Sequence, residues 1–164
     1  MNKQIVLSLG GNVGNVQQTF IKAISSLENK VGKLVKSSSL YLTKAWGVEN
    51  QPDFINQVLV FKTQLTPNEV LKICLQTENE LGRKRMEGDK WQKRVIYIDI
   101  LFYESEIINS TNLIIPHPYL HQRNFVLFPL AELIPQFIHP LLGKTIDELK
   151  KSCQDNLKVI KLLE

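Results

Sequence analysis

The chain has 164 residues, of which 43% are hydrophobic and 22% are charged, and its formal net charge is +4. This length fits a single domain with its own core, which we place at residues 1–164. No apolar run approaches a membrane span, the N-terminal apolar run is too short for a secretory signal, and the 2 cysteines suggest no disulfide framework. We therefore predict a cytoplasmic protein that has no membrane partner.

Hydrophobic periodicity and turn signals predict six core elements. They are a strand at 4–9, a helix that stops at Gly32, strands at about 33–42 and 54–63, a helix from Thr66 through Leu81, and a strand at 94–103. The second helix opens with a capping-box sequence, TPNE. The order β-α-β-β-α-β predicts an α+β, ferredoxin-like fold, an antiparallel sheet with both helices on one face. The other face is then available for a site.

Beyond residue 103 the pattern predicts a short hairpin and a helical segment punctuated by prolines. A last amphipathic stretch, TIDELKKSCQDNLKVIKLL, completes the predicted helical extension.

The strand RVIYIDILFY carries a single carboxylate, Asp99, among apolar neighbours. Period two assigns to the core side Ile96, Ile98, Ile100 and Phe102. It assigns to the other side Val95, Tyr97, Asp99, Leu101 and Tyr103. A carboxylate in such surroundings needs a cation or hydrogen-bond donors, so we predict a partner for Asp99.

A basic run, RKRMEGDKWQKR, directly precedes this strand. Its candidate anion-binding side chains are Arg83, Arg85, Lys90 and Arg94. They could surround a phosphate-rich ligand while Asp99 holds its metal ion, because arginine forks match phosphate oxygens and Mg²⁺ prefers carboxylate, water and phosphate ligands. No Walker loop is present. The alternative is a solvated charged loop.

Aromatic rings and one amide predict a place for a flat heterocycle. The rings near predicted loop or strand edges are Trp46, Phe54, Trp91 and Phe125. Asn56 shares a strand face with Phe54 and can both donate and accept hydrogen bonds. His117, in the sequence IPHP, and Arg123 are further candidate phosphate donors. Each ring also fits a core position, and a histidine between prolines also fits a turn. We interpret His121 and His139 as structural or surface residues.

Together these motifs resemble the 6-hydroxymethyl-7,8-dihydropterin pyrophosphokinase family of folate biosynthesis. The resemblance covers nearly the whole chain, through SLGGNVGN, SSLYLTKAWG, QPDFINQV, ELGRKRMEGDKWQKRVIYIDILFY, EIIN, IPHP, RNF and FPLAEL. It implies a ferredoxin-like enzyme that uses ATP with Mg²⁺. The terminal diphosphate would pass to the hydroxymethyl group of the reduced pterin, releasing AMP. We expect a monomer or weak homodimer that binds no nucleic acid.

The resemblance also implies roles for individual residues. Pterin contacts would come from Thr43, Lys44, Trp46, Phe54, Asn56 and Phe125. ATP contacts would come from Glu78, Lys90, Trp91, His117 and Arg123. The catalytic arginines would be Arg83, Arg85 and Arg94, the first two on a loop that closes over the nucleotide. Asp99 would be the metal ligand.

One position departs clearly from the family pattern. The family's metal motif is Asp-hydrophobic-Asp, whereas this chain has Tyr97, Ile98 and Asp99. A phenol is a weaker Mg²⁺ ligand than a carboxylate, so an alternative hypothesis is a catalytically impaired homologue that binds pterin or nucleotide. Leu75 and Asn112 are smaller departures. An RNA-binding module would also use the basic run, but VIYIDILFY lacks the glycine and the basic opening of such modules.

Overall fold

The computed structural model describes residues 2–44, 53–82 and 95–162. Its elements are β1 (Lys3–Gly11), α1 (Val16–Lys30), β2 (Gly32–Ser37), β3 (Tyr41–Thr43), β4 (Phe54–Thr63), α2 (Pro67–Glu80), β5 (Tyr97–Tyr103), β6 (Ile108–Asn109), β7 (Ile114–Ile115), a 3-10 turn (Leu120–Gln122), α3 (Asn124–Leu133), α4 (Ile146–Ser152) and β8 (Val159–Lys161). The predicted element order is confirmed. None of the helices in the described ranges has the length and hydropathy that crossing a membrane requires.

The main sheet is antiparallel, with strand order β5-β1-β4-β3-β8 and with β2 also paired to β4. Treating β2 and β3 as one interrupted strand gives the ferredoxin-like arrangement, so the predicted fold class is confirmed. Both halves of that strand pair with the same neighbour. The β6–β7 hairpin is also formed as predicted.

A local break separates β2 from β3 where one continuous strand was predicted. Ser38 spans the break, because its Oγ accepts the Val58 N–H at 2.9 Å. The Gln57 side-chain amide also donates to the Ser38 carbonyl at 2.9 Å. Side chains thus supply hydrogen bonds where the regular backbone ladder is interrupted.

The sheet separates two apolar layers. On the first face α1 and α2 cover a core that includes Leu7, Leu59 and Ile98. On the second face α3 and α4 cover Val6, Val58, Val60 and Phe102, which we call the covered end of that face. The helices α1 and α2 therefore lie on one face, as predicted, while α3 and α4 cover one end of the second face.

A bulge in β5 overturns part of the predicted face assignment. Leu7 pairs with Ile100 and Val6 pairs with Phe102, so Leu101 is an extra residue in the ladder. A bulge sets two residues against one and shifts the alternation beyond it. As a result, Phe102 packs on the second face and Tyr103 on the first. The sequence-based placement of these two side chains is wrong.

The last amphipathic stretch is not a continuous helix. A capping box at Thr145 starts α4, which ends at Ser152. Asp155 then accepts the Asn124 and Leu157 N–H groups at 2.9 and 3.0 Å. The chain continues into β8, which pairs with β3. The predicted helical extension thus contains α4 and ends in a strand that was not predicted, because the edge of β3 offers hydrogen bonds to β8.

Candidate active site at the polar end of the sheet

Polar side chains collect at the end of the second sheet face that lies opposite the covered end. The register aligns Tyr97, Gly10 and Asn56 across three strands, and in the next row Asp99 pairs with Ser8. Asn56 also pairs with Tyr41 on β3, and Thr43 lies two residues further along that strand. We define the polar end as Gly10, Thr43, Asn56, Tyr97 and Asp99.

Tyr97 crosses the neighbouring strand and reaches the strand beyond it. Its hydroxyl donates a hydrogen bond to Asn56 Oδ1 at 2.9 Å. Its ring lies over Gly10 so closely that a Cβ there would overlap the ring. Phe54 is the next aromatic, with ring centroids 6.5 Å apart and planes at 57°. Gly10 is therefore a position of the candidate site that sequence analysis missed. The signal was available in the GlyGly that ends β1.

Two buried polar atoms at this end have no hydrogen-bond partner among the residues that the structure describes. They are Asn56 Nδ2 and Thr43 Oγ1, on side chains that are 1% and 4% exposed. A buried donor left unpaired costs about 1–3 kcal/mol, so such groups mark a place where a ligand can supply the missing partner. Both residues are predicted pterin contacts.

His117 lies close enough to both Asp99 and Arg123 for their charges to affect it. Burial lowers the pKa of His117, the negative charge of Asp99 opposes that shift, and the positive charge of Arg123 adds to it. His117 Nδ1 accepts the Tyr119 N–H at 3.3 Å, so the neutral ring carries its proton on Nε2. That N–H is a suitable donor for a phosphate oxygen. The structure thus brings His117 near one acidic and one cationic candidate of the predicted site.

Two aromatic rings lie near the Arg123 guanidinium. The Arg123 guanidinium carbon lies 5.2 Å from the Tyr119 ring centroid and 5.7 Å from that of Phe125. Contacts in this range are attractive and limit where the guanidinium can go. Phe125 lies in α3, which packs on the same sheet face that carries Phe54 and Asn56. The predicted ring pair therefore faces one side of the sheet from two different elements.

The remaining described candidates, Lys44 and Glu78, lie outside the polar end as defined above. Lys44, which is exposed, is 3.7 Å from the Asp53 carboxylate. Glu78 is buried, and its Oε1 accepts the Ile98 N–H at 2.7 Å, one residue from Asp99. It also lines a cavity of about 660 Å³ along α2, together with Leu75 and Asn112. The two smaller departures from the family pattern thus share one cavity with Glu78.

That cavity has further lining residues that sequence analysis did not single out, namely Asn68, Leu71, Lys72 and Asn79. Their spacing along α2 puts them on one helix face. Several predicted residues lie outside the described ranges: Trp46, Arg83, Arg85, Lys90, Trp91 and Arg94.

The described donor set provides one carboxylate for Mg²⁺, that of Asp99. Within the described ranges no three His, Cys, Asp or Glu side chains converge on a common point. Mg²⁺ usually keeps several waters and takes one or two carboxylates together with substrate phosphates. Asp99 fits an ion that arrives with a polyphosphate, whereas the Tyr97 hydroxyl already donates to Asn56. The residues present therefore fit substrate-borne Mg²⁺ with one protein carboxylate.

Comparison with known proteins gives consistent matches. Residues 6–135 match the family model described as 7,8-dihydro-6-hydroxymethylpterin-pyrophosphokinase (HPPK). A protein of Aquifex aeolicus named 2-amino-4-hydroxy-6-hydroxymethyldihydropteridine pyrophosphokinase is 44% identical over 146 residues, covering 89% of each chain. The protein of the same name from Haemophilus influenzae is 40% identical over 159 residues, covering 95% of this chain and 96% of its own.

The fold has solved counterparts. The crystal structure of wild-type Plasmodium falciparum HPPK-DHPS superposes with a TM-score of 0.76 at 19% identity, covering 92% of this chain and 44% of that one. The family and enzyme class that the motifs indicate are confirmed by the sequence matches. The alternative of a catalytically impaired homologue is not supported.

Proposed function

This chain belongs to the 7,8-dihydro-6-hydroxymethylpterin-pyrophosphokinase family, and from that premise we propose that it transfers the terminal diphosphate of ATP to the hydroxymethyl group of 6-hydroxymethyl-7,8-dihydropterin. The products are AMP and the pterin diphosphate. The observation that carries the proposal is the polar end of the sheet, where unpartnered Asn56 and Thr43 groups lie on the same face as Asp99. A heterocycle and a charged polyphosphate would thus meet on one surface.

On the pterin side, Asn56 Nδ2 and Thr43 Oγ1 supply hydrogen bonds to the edge of the ring. The burial of both side chains excludes water, which makes the loss of either hydrogen bond costly. Phe54 and Phe125 cover the ring faces, and Lys44 and Trp46 complete the rim. The pterin's hydroxymethyl group then points along the sheet toward Asp99.

On the phosphate side, His117 donates from Nε2 and Arg123 supplies a fixed positive charge. The charges of Asp99 and Arg123 both act on His117, so cationic and anionic groups lie within one small region. When bound with ATP, Mg²⁺ would neutralise phosphate charge and orient the chain of phosphates. Asp99 would hold it through one carboxylate. The arginines Arg83, Arg85 and Arg94 would neutralise charge as the β-phosphorus is attacked.

The nucleoside has a separate place. The cavity along α2 that Glu78, Leu75 and Asn112 line is large enough for a nucleobase at about 660 Å³, and it mixes apolar and amide groups. Glu78 joins this cavity to the catalytic strand through the Ile98 N–H. Lys90 and Trp91 complete the ATP contacts in this proposal. The reaction then depends on holding two substrates in line rather than on a protein nucleophile.

The direct test is AMP formation from ATP and 6-hydroxymethyl-7,8-dihydropterin across a Mg²⁺ titration. We expect AMP to appear only when both substrates and Mg²⁺ are present, in a one-to-one ratio with the pterin diphosphate. ATP with 6-methyl-7,8-dihydropterin, which lacks the acceptor hydroxyl, is the matched control. ADP as the product would indicate transfer of a single phosphoryl group, and pterin-independent AMP would indicate hydrolysis. Either result contradicts the proposal.

A further inference from the structure

The family's metal motif has a carboxylate at the position of Tyr97. That motif therefore assigns no role to a tyrosine there. The contacts of its side chain lead to Asn56 and the aromatic rings. We propose that Tyr97 is a positioning residue for the pterin: its hydroxyl orients the Asn56 carboxamide so that Nδ2 faces the acceptor atoms of the ring. This inference rests on the proposed function and assigns Tyr97 to the pterin side of the site.

The register explains how this contact forms. Tyr97 on β5 and Asn56 on β4 both pair with Gly10, so β1 lies between them. Adjacent strands are about 4.8 Å apart, and only a long side chain lying flat on the sheet can span two such intervals. Tyr97 lies across β1 at the one residue of that row that has no side chain. The Tyr97 ring can therefore take this position only because residue 10 is a glycine.

In the structure the Tyr97 hydroxyl pairs with the oxygen end of the Asn56 amide. As a donor it is satisfied by Oδ1, and that arrangement turns Nδ2 away from Tyr97. Nδ2 is the group that remains buried and unpartnered. A pyrimidinone edge offers a carbonyl oxygen and ring nitrogens as acceptors, which suit this donor. Thr43 Oγ1, also unpartnered on the same face, can donate or accept beside it.

The test is a double-mutant cycle on pterin binding. The affinity for 6-hydroxymethyl-7,8-dihydropterin is measured by titration calorimetry in the presence of Mg²⁺ and a non-hydrolysable ATP analogue, for the natural chain, Tyr97→Phe, Asn56→Ala and the double variant. Tyr97→Phe keeps the ring and removes only the hydroxyl. Tyr103→Phe is the matched control, because Tyr103 is on the same strand and its hydroxyl donates to the Leu65 carbonyl at 2.7 Å, away from the site.

We expect Tyr97→Phe to weaken pterin binding about three- to tenfold, as the loss of one neutral hydrogen bond does. It should change the KM for ATP and the half-saturating Mg²⁺ concentration by less than about twofold. In the Asn56→Ala background the same substitution should have almost no effect on pterin binding. Tyr103→Phe should leave pterin affinity unchanged.

Two results would overturn the inference. One is an equal effect of Tyr97→Phe with and without Asn56, which would show that the two side chains are not coupled. The other is a shifted Mg²⁺ requirement with unchanged pterin affinity, which would place Tyr97 on the metal side. AMP formation by the natural chain is a separate readout: a chain that binds pterin but forms no AMP would contradict the proposed function, and the cycle would still decide this inference.

Gly10→Ala provides a second, independent variant. The added Cβ would overlap the Tyr97 ring and displace it, so we expect a loss of pterin affinity at least as large as that of Tyr97→Phe. In a Tyr97→Ala background the same glycine substitution should change affinity little, because no ring remains to be displaced. Natural pterin affinity in Gly10→Ala would contradict the packing on which the inference depends.

Discussion

The two ends of the second sheet face share strands β1, β4 and β5 and differ in the side chains that these strands carry. At the covered end Val6, Val58 and Phe102 pack under α3 and α4. At the polar end, within the same register, Gly10 and Asn56 occupy equivalent inward positions on the same strands. Side chains along one strand face therefore change from core to site within a few residues.

We expect the covered end to contribute to stability and the polar end to bind substrate. Apolar side chains at the covered end need only neighbours that exclude water. The polar end instead keeps buried groups, Asn56 Nδ2 and Thr43 Oγ1, that the fold itself does not satisfy. Such groups weaken the free protein and are expected where a ligand supplies the missing partners. Substitutions at the two ends should accordingly change different measured quantities.

The largest effect is expected from Asp99→Ala. Loss of the carboxylate on β5 removes the proposed metal ligand, and we expect kcat for AMP formation to fall by at least about 100-fold. Because Asp99 is not fully buried, the free energy of unfolding should change by less than about 1 kcal/mol. Steady-state kinetics and urea unfolding measure the two quantities.

Asp147→Ala is the matched control for that substitution, since it removes an α4 carboxylate whose partner is Lys151. It should leave kcat unchanged. Near-natural turnover in Asp99→Ala would remove this carboxylate from the proposed mechanism.

Phe102→Ala should have the opposite profile. This ring is 1% exposed and packs against Phe137 with centroids 4.7 Å apart, so its removal should lower the free energy of unfolding by about 3–5 kcal/mol. At a temperature where the variant is folded, its KM for pterin should stay within about twofold. Ile114→Ala, at an exposed position on β7, is the control that should change neither quantity. A large KM change in Phe102→Ala would mean that the two ends are energetically coupled.

The smallest effect concerns His139 at the covered end, whose ring lies 5.6 Å from that of Phe102. Burial, and to a lesser degree His121, lowers the pKa of His139. The unfolded chain therefore binds a proton more readily than the folded chain, and stability should fall as the pH drops below about 6.5, the ordinary histidine value. The fall should end once the pH is below the pKa of His139 in the folded chain.

His139→Asn tests this because its Oδ1 can replace Nδ1, which accepts the N–H groups of Leu141 and Leu142 at 3.2 Å each. We expect less than about 1.5 kcal/mol of destabilisation at pH 7.5 and a flatter decline of stability between pH 6.5 and 5.5. Urea unfolding at several pH values measures both. A decline as steep as in the natural chain would assign the pH dependence to other groups, of which His117 is the first candidate because its pKa is also lowered.

Local patterns were sufficient for much of the fold. The capping box of Thr66 with Glu69 is formed as predicted. This cap and the periodicity of β1, α1 and β4 depend only on neighbours a few residues away. The division between β2 and β3 and the bulge at Leu101 were not predictable, because both depend on how distant strands pair. The candidate site was named in part from motifs, and its Asp99, Asn56 and Thr43 positions meet on one face, whereas Gly10 was missed.

The sequence by itself determined the element order, the fold class and the family, because these follow from periodicity, caps and motifs written in contiguous residues. Only the tertiary structure decided that Tyr97 reaches Asn56 across Gly10 and that Phe102 and Tyr103 exchange faces. These contacts join residues on different strands, and their geometry depends on sheet register and on one inserted residue. No local pattern carries that information, because register is set by the packing of the whole sheet.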